Sequence, residues 1–221
     1  MKYKAAIFDM DGLLLDTESI FLEAFKNTCK RLDLDFDMSM FKSLIGTNSV
    51  KTKTILEEHF GEGFSHEVFR KTWRQYVAGY ISEKSIPLKE GVPELLDKVR
   101  NQKLPMAVAT STAYKDACKT LERTGLIDYF DFIVAGDQVI KGKPDPEIYL
   151  KVAEKINVLP EECIAFEDSE NGVKSALAAG MEVIQVPDLI YPSDELRSMG
   201  YRIIDSLKKV CDDFDSIFKS N

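Results

Sequence analysis

Short apolar runs alternate with stretches of helical periodicity along most of the chain. Six runs have the length and composition of buried strands, at residues 5–8, 106–109, 132–135, 164–166, 183–186 and 201–204. Helical patterns lie between the later runs, at residues 92–102, 114–124, 146–156 and 171–179. Apolar strands that alternate with helices are typical of a parallel sheet covered on both faces. The pattern predicts an α/β fold with a doubly wound, mostly parallel, Rossmann-like sheet.

Residues 16–86 depart from this alternation, because they show helical periodicity and no convincing strand. Three helix faces carry the apolar positions, which are Ile20, Phe21, Ala24, Phe25 and Thr28, then Val50, Thr54, Ile55 and Leu56, then Val68, Phe69, Trp73, Tyr76 and Val77. We expect the aromatic stripe of the third face to form the insert's own core rather than a ligand platform. The sequence predicts an all-helical domain at residues 16–86, inserted into an α/β core domain at residues 1–15 and 87–221.

Charge and cysteine content narrow the class of function. The formal net charge is −8, the sequence pI is near 5.0 and no Lys/Arg-rich run is present, so we expect neither a nucleic acid nor an anionic membrane as a partner. The four cysteines show no Cys-x-x-Cys spacing, and no apolar run reaches the roughly 18 residues of a membrane span. We therefore expect a reduced, cytoplasmic protein. We further expect it to be a monomer.

The first strand ends in two acids, Asp9 and Asp11, followed by Gly12. Because side chains alternate along a strand, both carboxylates point to the same side. Two like charges this close repel by about 4 kcal/mol at an effective dielectric of about 20, which favours a bound cation or one protonated carboxyl. The segment predicts a metal site or an acid/base pair, with a plain strand and Asp-Gly turn as the alternative. A calcium loop is excluded, since residues 13–15 are leucines.

Polar residues also follow the later strands of the predicted sheet. Thr110 and Ser111 follow the second strand, Glu167 and Asp168 follow the fourth, and Lys143 stands in a loop after the third. The carboxyl ends of parallel strands meet at one edge of a sheet. Each residue alone also fits a helix cap or a solvated loop charge. Together they predict a site in which acids hold a divalent cation, hydroxyls and the lysine hold a phosphoryl group, and one carboxylate attacks.

These residues carry a resemblance to a known family. The chain resembles the haloacid-dehalogenase-like phosphohydrolases in four motifs that occur in the family's order, which are Asp9-Met10-Asp11-Gly12, Thr110 or Ser111, Lys143 before Pro144, and Glu167-Asp168. Residues 12–18, 142–147 and 166–169 resemble, more narrowly, the sugar-phosphate phosphatases and beta-phosphoglucomutases. The resemblance covers essentially the whole chain and makes the helical insert a cap domain. It implies a phosphoric monoester hydrolase acting on a small phosphorylated metabolite, a sugar phosphate or a nucleotide-type monophosphate.

The resemblance also implies catalytic roles. Asp9 would be the nucleophile that forms an aspartyl-phosphate. Asp11 would be the general acid that protonates the leaving oxygen, and it would then activate water. Lys143 and Thr110 would bind the phosphoryl oxygens, with Ser111 as a further donor.

The cofactor that the resemblance implies is Mg²⁺. Asp9 and Asp168 would hold the ion, together with Glu167, either directly or through water, and the backbone carbonyl of Asp11. The ion would bridge to the phosphoryl oxygens and cancel charge that otherwise repels the substrate.

A beta-phosphoglucomutase is the alternative within the family, and four positions count against it. The mutases carry a histidine where this chain has Phe21, a lysine and an arginine where Ile45 and Ser49 flank Gly46, and a lysine where Ala113 stands. Losing one bidentate arginine contact to a phosphate costs about 1.5–3 kcal/mol. We therefore expect a phosphatase, although other cations, Lys71, Arg74 or Lys115, could compensate.

Other classes of protein fit the sequence less well. A dehalogenase on this fold is expected to lack the second acid, Asp11. A phosphonate hydrolase would need a cap lysine, for which Lys51 or Lys53 stays open. A serine or cysteine hydrolase is poorly supported, because both histidines lie in the helical insert and no Gly-x-Ser-x-Gly motif is present. A non-catalytic phosphate-binding protein is the alternative from another class, and the presence of both acids after the first strand counts against it.

Overall fold

The structure is a computed structural model that describes residues 1–45, 49–83 and 86–219. The chain divides into two compact units. We call Met1–Asp16 with Pro87–Asn221 the sheet unit, and Thr17–Ile86 the helical unit. Within the described residues, no helix is both long enough and apolar enough to span a membrane.

The sheet unit contains six parallel strands in the order β3-β2-β1-β4-β5-β6. Their bounds are β1 Ala5–Phe8, β2 Met106–Thr110, β3 Phe132–Ala135, β4 Cys163–Glu167, β5 Glu182–Gln185 and β6 Arg202–Ile203. Every neighbouring pair is parallel, as the uninterrupted apolar runs predict. The predicted doubly wound α/β fold is therefore confirmed.

The strand order reverses next to β1, and this reversal sets the position of the site. From β1 the chain moves outward through β2 to β3, and it then returns to β4 on the other side of β1. Phe8 is aligned with Val108 of β2 and with Phe166 of β4. The residues that follow these three strands therefore emerge together. Ligands of open α/β sheets bind at such a switch point, beyond the carboxyl ends of the strands.

Helices cover the strands and bury them. In the sheet unit these are α5 Val92–Asn101, α6 Tyr114–Arg123, α7 Glu147–Ile156, α8 Glu170–Ala178, α9 Asp194–Arg197, α10 Leu207–Asp212 and α11 Phe214–Phe218. Helix α8 begins at Glu170 rather than 171, because the Ser169 side chain caps it by accepting a bond of 3.1 Å from the Gly172 amide. Strand β6 is shorter than predicted, since only Arg202 and Ile203 pair with β5.

The helical unit consists of four helices within its described residues, at Thr17–Arg31, Met38–Leu44, Ser49–Phe60 and His66–Glu83. We number them α1 to α4. Phe25 of α1 is fully buried and contacts Phe41 of α2 and Phe69 of α4, with ring centroids 5.2 and 5.0 Å apart. The predicted core role of Phe69 is confirmed. The predicted face of α4 was wrong at Val68, which is exposed, because the buried face runs through Phe69 and Thr72. Gly46, which the comparison with the mutases used, lies outside the described residues.

Candidate active site

Three carboxylates meet where β1 and β4 end. Oxygen atoms of Asp9, Glu167 and Asp168 all lie within 4.8 Å of one another. The pairing of the two strands positions them, because the Asp9 amide continues the ladder by donating to the Phe166 carbonyl at 3.0 Å. Carboxylate oxygens are the ligands that hard divalent cations prefer. The donor set therefore fits the predicted metal.

Lys143 lies between two of these acids. Its Nζ donates to Asp9 Oδ1 and Glu167 Oε1 at 2.5 Å each, and to the Ala109 carbonyl at 2.9 Å. Its side chain is only 5% exposed. Burial alone would lower the pKa of this ammonium, but the carboxylates of Asp9 and Glu167 raise the pKa above its ordinary value. The structure thus places a permanent positive charge beside the predicted nucleophile.

Asp9 has an unusual electrostatic environment. Burial raises the pKa of its carboxyl group to about 8, the Lys143 ammonium opposes this rise, and the nearby charges of Glu167 and Asp11 add to it. A divalent cation next to these acids would favour the ionised form. Clustered acids of this kind are typical of functional sites, where charge repulsion is balanced by a ligand.

Glu167 is fully buried and its carboxylate is held by several donors. Besides Lys143, the Tyr149 hydroxyl donates to Oε1 at 2.5 Å and the Ser169 hydroxyl donates to Oε2 at 3.3 Å. Burial, then the charge of Glu167, raises the pKa of Tyr149 well above its usual range, so the hydroxyl stays protonated. Tyr149 on α7 therefore fixes the orientation of the Glu167 carboxylate, which belongs to the three-acid cluster.

Two glycines make room for the carboxylates. Gly12 has a positive φ of 83°, and a Cβ added there would overlap the carboxylate of Asp168. At Gly172 of α8 a Cβ would overlap the carboxylate of Glu167. Close packing of backbone against both acids therefore requires glycine at both positions.

Asp11 lies beside the hydroxyls that follow β2. Its Oδ2 accepts a bond of 2.7 Å from the Thr112 hydroxyl and a longer one of 3.5 Å from Thr110. The Asp11 carboxylate is not part of the three-acid cluster found among the described residues. Its predicted metal contact through the backbone carbonyl stays a prediction.

The predicted phosphate-binding residues differ in exposure. Thr110 is buried, and its hydroxyl accepts a bond of 3.1 Å from the Thr112 amide. Ser111 is exposed and Lys143 is buried. Thr110 lies close to Asp11, and Lys143 lies close to Asp9. The contacts of Thr110, Ser111 and Lys143 with phosphate remain predictions.

Sequence reasoning did not assign a role to Thr112 or Tyr149. Thr112 could have been found, because residues at positions 110 and 112 share a side if the extended strand continues. Tyr149 gave no such signal, since it lies on the apolar face of α7 beside Ile148 and Val152 and resembles an ordinary core residue. Only the fold shows that its hydroxyl reaches Glu167.

Replacing Tyr149 with phenylalanine is expected to lower the free energy of unfolding by about 1.5–3 kcal/mol, the usual contribution of a hydrogen bond to a charged group. The buried Glu167 carboxylate would lose a neutral donor while the volume of the ring is kept. Urea unfolding measures the change. The control is Tyr191→Phe, which removes an exposed hydroxyl that donates to Asp205 and should leave the free energy of unfolding unchanged. Equal stability of the Tyr149→Phe variant and the wild type would contradict the assigned role.

Comparison with known proteins agrees with this geometry. The fold and the acidic, lysine-bearing switch point together define a Rossmann-like α/β protein with a candidate metal and phosphoryl site. The family model described as "Haloacid dehalogenase-like hydrolase" matches residues 6–186. The chain belongs to this family, and the predicted resemblance is confirmed.

Individual relatives narrow the class. A protein named "Phosphorylated carbohydrates phosphatase" from Thermotoga maritima is 40% identical over 82% of this chain and 83% of its own length. A "Beta-phosphoglucomutase" from Bacillus subtilis is 32% identical over 83% of each chain. The crystal structure of CbbY from Rhodobacter sphaeroides in complex with phosphate has a TM-score of 0.74 and 27% identity, covering 94% of this chain and 96% of that one. The predicted enzyme class, a haloacid-dehalogenase-like phosphoric monoester hydrolase, is confirmed.

Proposed function

We propose that the protein is a Mg²⁺-dependent phosphatase that hydrolyses a small phosphorylated carbohydrate through an aspartyl-phosphate intermediate. The observation that carries the proposal is the Asp9 carboxylate, which lies in a cluster with Glu167 and Asp168 and is bonded to the buried ammonium of Lys143. A nucleophile held by a cation and surrounded by oxygen ligands is the arrangement that phosphoryl transfer requires. The similarity to a phosphorylated-carbohydrate phosphatase supports the substrate class.

The proposed reaction has two halves. An oxygen of Asp9 attacks phosphorus, the new carboxyl oxygen to phosphorus bond forms, and the bond to the leaving oxygen breaks while Asp11 gives that oxygen a proton. Water then attacks the aspartyl-phosphate, Asp11 takes a proton from the water, and phosphate leaves with the Asp9 carboxylate restored. Thr112 positions Asp11 for both steps, since it donates to Oδ2 of that side chain.

The same geometry supports an assignment of residues to the cofactor and to the phosphoryl group. Asp9, Asp168 and Glu167 would hold Mg²⁺, which when bound supplies charge neutralisation for the phosphoryl oxygens. Lys143 would bind one phosphoryl oxygen, and Thr110 with Ser111 would bind others. We also propose that the helical unit acts as a cap that selects the leaving group.

Removal of Mg²⁺ is expected to reduce phosphate release at least about 100-fold, because the clustered acids then repel an anionic substrate. Inorganic phosphate is measured over a panel of sugar phosphates and nucleoside monophosphates, before and after treatment with EDTA and again after added MgCl₂. Full activity in chelated enzyme would contradict the metal assignment. Absence of phosphate release from every ester would favour the alternative of a non-catalytic phosphate-binding protein.

The phosphomutase alternative is favoured by one relative, the beta-phosphoglucomutase of Bacillus subtilis. Against it, Phe21 and Ile45 stand where the mutases carry a histidine and a lysine, and both line a mainly apolar cavity of the helical unit. We expect beta-glucose 1-phosphate, with a trace of the 1,6-bisphosphate, to release phosphate rather than yield glucose 6-phosphate. Coupled measurement of glucose 6-phosphate decides between the two. Efficient conversion without stoichiometric phosphate release would overturn the phosphatase proposal.

A further inference from the structure

The helical unit contains a cavity of about 580 Å³ whose walls are mainly apolar. Its lining includes Phe21 of α1, Leu44 of α2, Leu56 of α3, and Trp73 and Val77 of α4. This volume lies within the range of about 300–1,000 Å³ that is typical of sites for small ligands. The cavity can therefore hold an apolar body of small-molecule size.

A cationic groove adjoins this cavity. The groove is lined by Arg70, Lys71 and Arg74 of α4, and Arg70 and Arg74 also line the cavity. Among the residues that the structure describes, Glu67 is the only carboxylate that lines the groove, and Glu18 is the only one that lines the cavity. None of the three cations forms an ion pair with any carboxylate whose side chain the structure describes. In a chain with a net charge of −8, such a group of cations makes a local site of positive potential.

Trp73 forms a fixed wall of the cavity. Its Nε1 donates to the Phe21 carbonyl at 3.3 Å. Its ring meets those of Phe21 and Phe25 edge to face, with centroids 6.1 and 5.9 Å apart. A ring held in this way presents apolar surface to a ligand at little cost in conformational entropy.

We propose that the helical unit binds a small amphiphilic anion. Its apolar body would lie in the cavity against Trp73, and its phosphate-type or other anionic group would lie in the groove between Arg70 and Arg74. Charge complementarity selects this class of ligand, because an uncharged apolar molecule leaves the cations unused and a small polar anion leaves the cavity unfilled. The proposal concerns binding by the helical unit and does not depend on the catalytic scheme.

Hexylphosphonate, which has an apolar tail, an anionic group and no ester bond, tests the proposal. Trp73 is the only tryptophan of the sequence, so its fluorescence reports on the cavity without an added label. We expect a saturable change with a Kd at least about thirtyfold lower than that of methylphosphonate, from burial of the longer tail. Hexanol, which lacks the anion, should bind more weakly than hexylphosphonate. Equal Kd values for the two phosphonates, or no saturable change, would overturn the proposal.

Substitutions test whether the cations of the groove contribute to ligand binding in a folded protein. The double variant Arg70→Gln with Arg74→Gln should raise the Kd of hexylphosphonate about tenfold or more, since two charge-assisted contacts are lost. The matched control is Arg31→Gln, an exposed arginine of α1 that lines neither cavity nor groove and should leave the Kd unchanged. Thermal unfolding verifies that both variants are folded. An unchanged Kd in the folded double variant would overturn the role of the groove.

The ligand could be the leaving group of the enzyme's own substrate or a separate molecule, and inhibition distinguishes these sources. The ligand is the leaving group if hexylphosphonate competitively inhibits the hydrolysis of an ester. The double variant must then raise both the KM of that ester and the inhibition constant of hexylphosphonate. Binding seen by Trp73 fluorescence without competition identifies a separate ligand. Because binding is measured without turnover, it can succeed even if the proposed phosphatase activity fails.

Discussion

Replacement of Asp9 by asparagine is expected to reduce phosphate release at least about 10³-fold, as removal of a covalent nucleophile commonly does. An amide is not an anionic nucleophile, and it is a weaker ligand for a hard cation than a carboxylate. Both effects act at the same carboxylate, because Asp9 belongs to the three-acid cluster and accepts a hydrogen bond from Lys143. Steady-state phosphate release with saturating Mg²⁺ measures the loss.

The Asp9→Asn variant should remain folded. Lys143 keeps Glu167 as a carboxylate partner at 2.5 Å, so its buried charge stays paired. The matched control is Asp116→Asn, an exposed acid of α6 whose replacement should leave both activity and unfolding temperature unchanged. A folded Asp9→Asn variant that releases phosphate at the wild-type rate would show that Asp9 is not the nucleophile.

The sheet could be predicted because its strands are buried on both faces. All residues of β1, β2 and β4 are buried, and each strand begins with four consecutive apolar residues. The edge strand β6 has a neighbour on one side only, and its pattern predicted twice the observed length. The other edge strand, β3, has the predicted bounds, and its last two residues are buried, whereas neither residue of β6 is. The sequence pattern thus follows burial rather than position in the sheet.

The candidate site could also be predicted only in part. Asp9, Glu167 and Asp168 could be predicted because each directly follows or ends a strand, and parallel strands bring such positions to one edge. The contact of Lys143 with two of these acids could not be derived from spacing, since the lysine stands in a loop. Packing between elements, which no local pattern encodes, decides such contacts.

The helical unit shows the limit of amphipathic patterns. Periodicity predicted that Phe69 and Trp73 share a buried role, and the structure separates them. Both rings line the cavity, but Phe69 is fully buried against Phe25, whereas Trp73 is partly exposed. An apolar stripe shows which face avoids water, but it does not show whether protein or a cavity lies against that face.

Replacement of Lys143 by methionine is expected to lower the free energy of unfolding by about 3–5 kcal/mol in metal-free enzyme, the usual effect of removing one partner from a buried ion pair. Methionine keeps much of the side-chain length but leaves the carboxylates of Asp9 and Glu167 together without the ammonium that bonds to both. Urea unfolding at constant pH measures the loss. The control is Lys4→Met, whose ion pair with Glu162 is largely exposed and contributes at most about 1 kcal/mol.

The same variant distinguishes two causes of instability, which are repulsion between carboxylates and a packing defect. If repulsion between carboxylates causes the instability, Mg²⁺ should stabilise the Lys143→Met variant more than the wild type, because the cation then replaces the missing positive charge. Activity should nevertheless remain reduced about 100-fold or more, since the predicted contact of Lys143 with the phosphoryl group is lost. Equal stabilisation of both proteins by Mg²⁺ would indicate a packing defect instead. Wild-type activity in a folded Lys143→Met variant would remove Lys143 from the catalytic site.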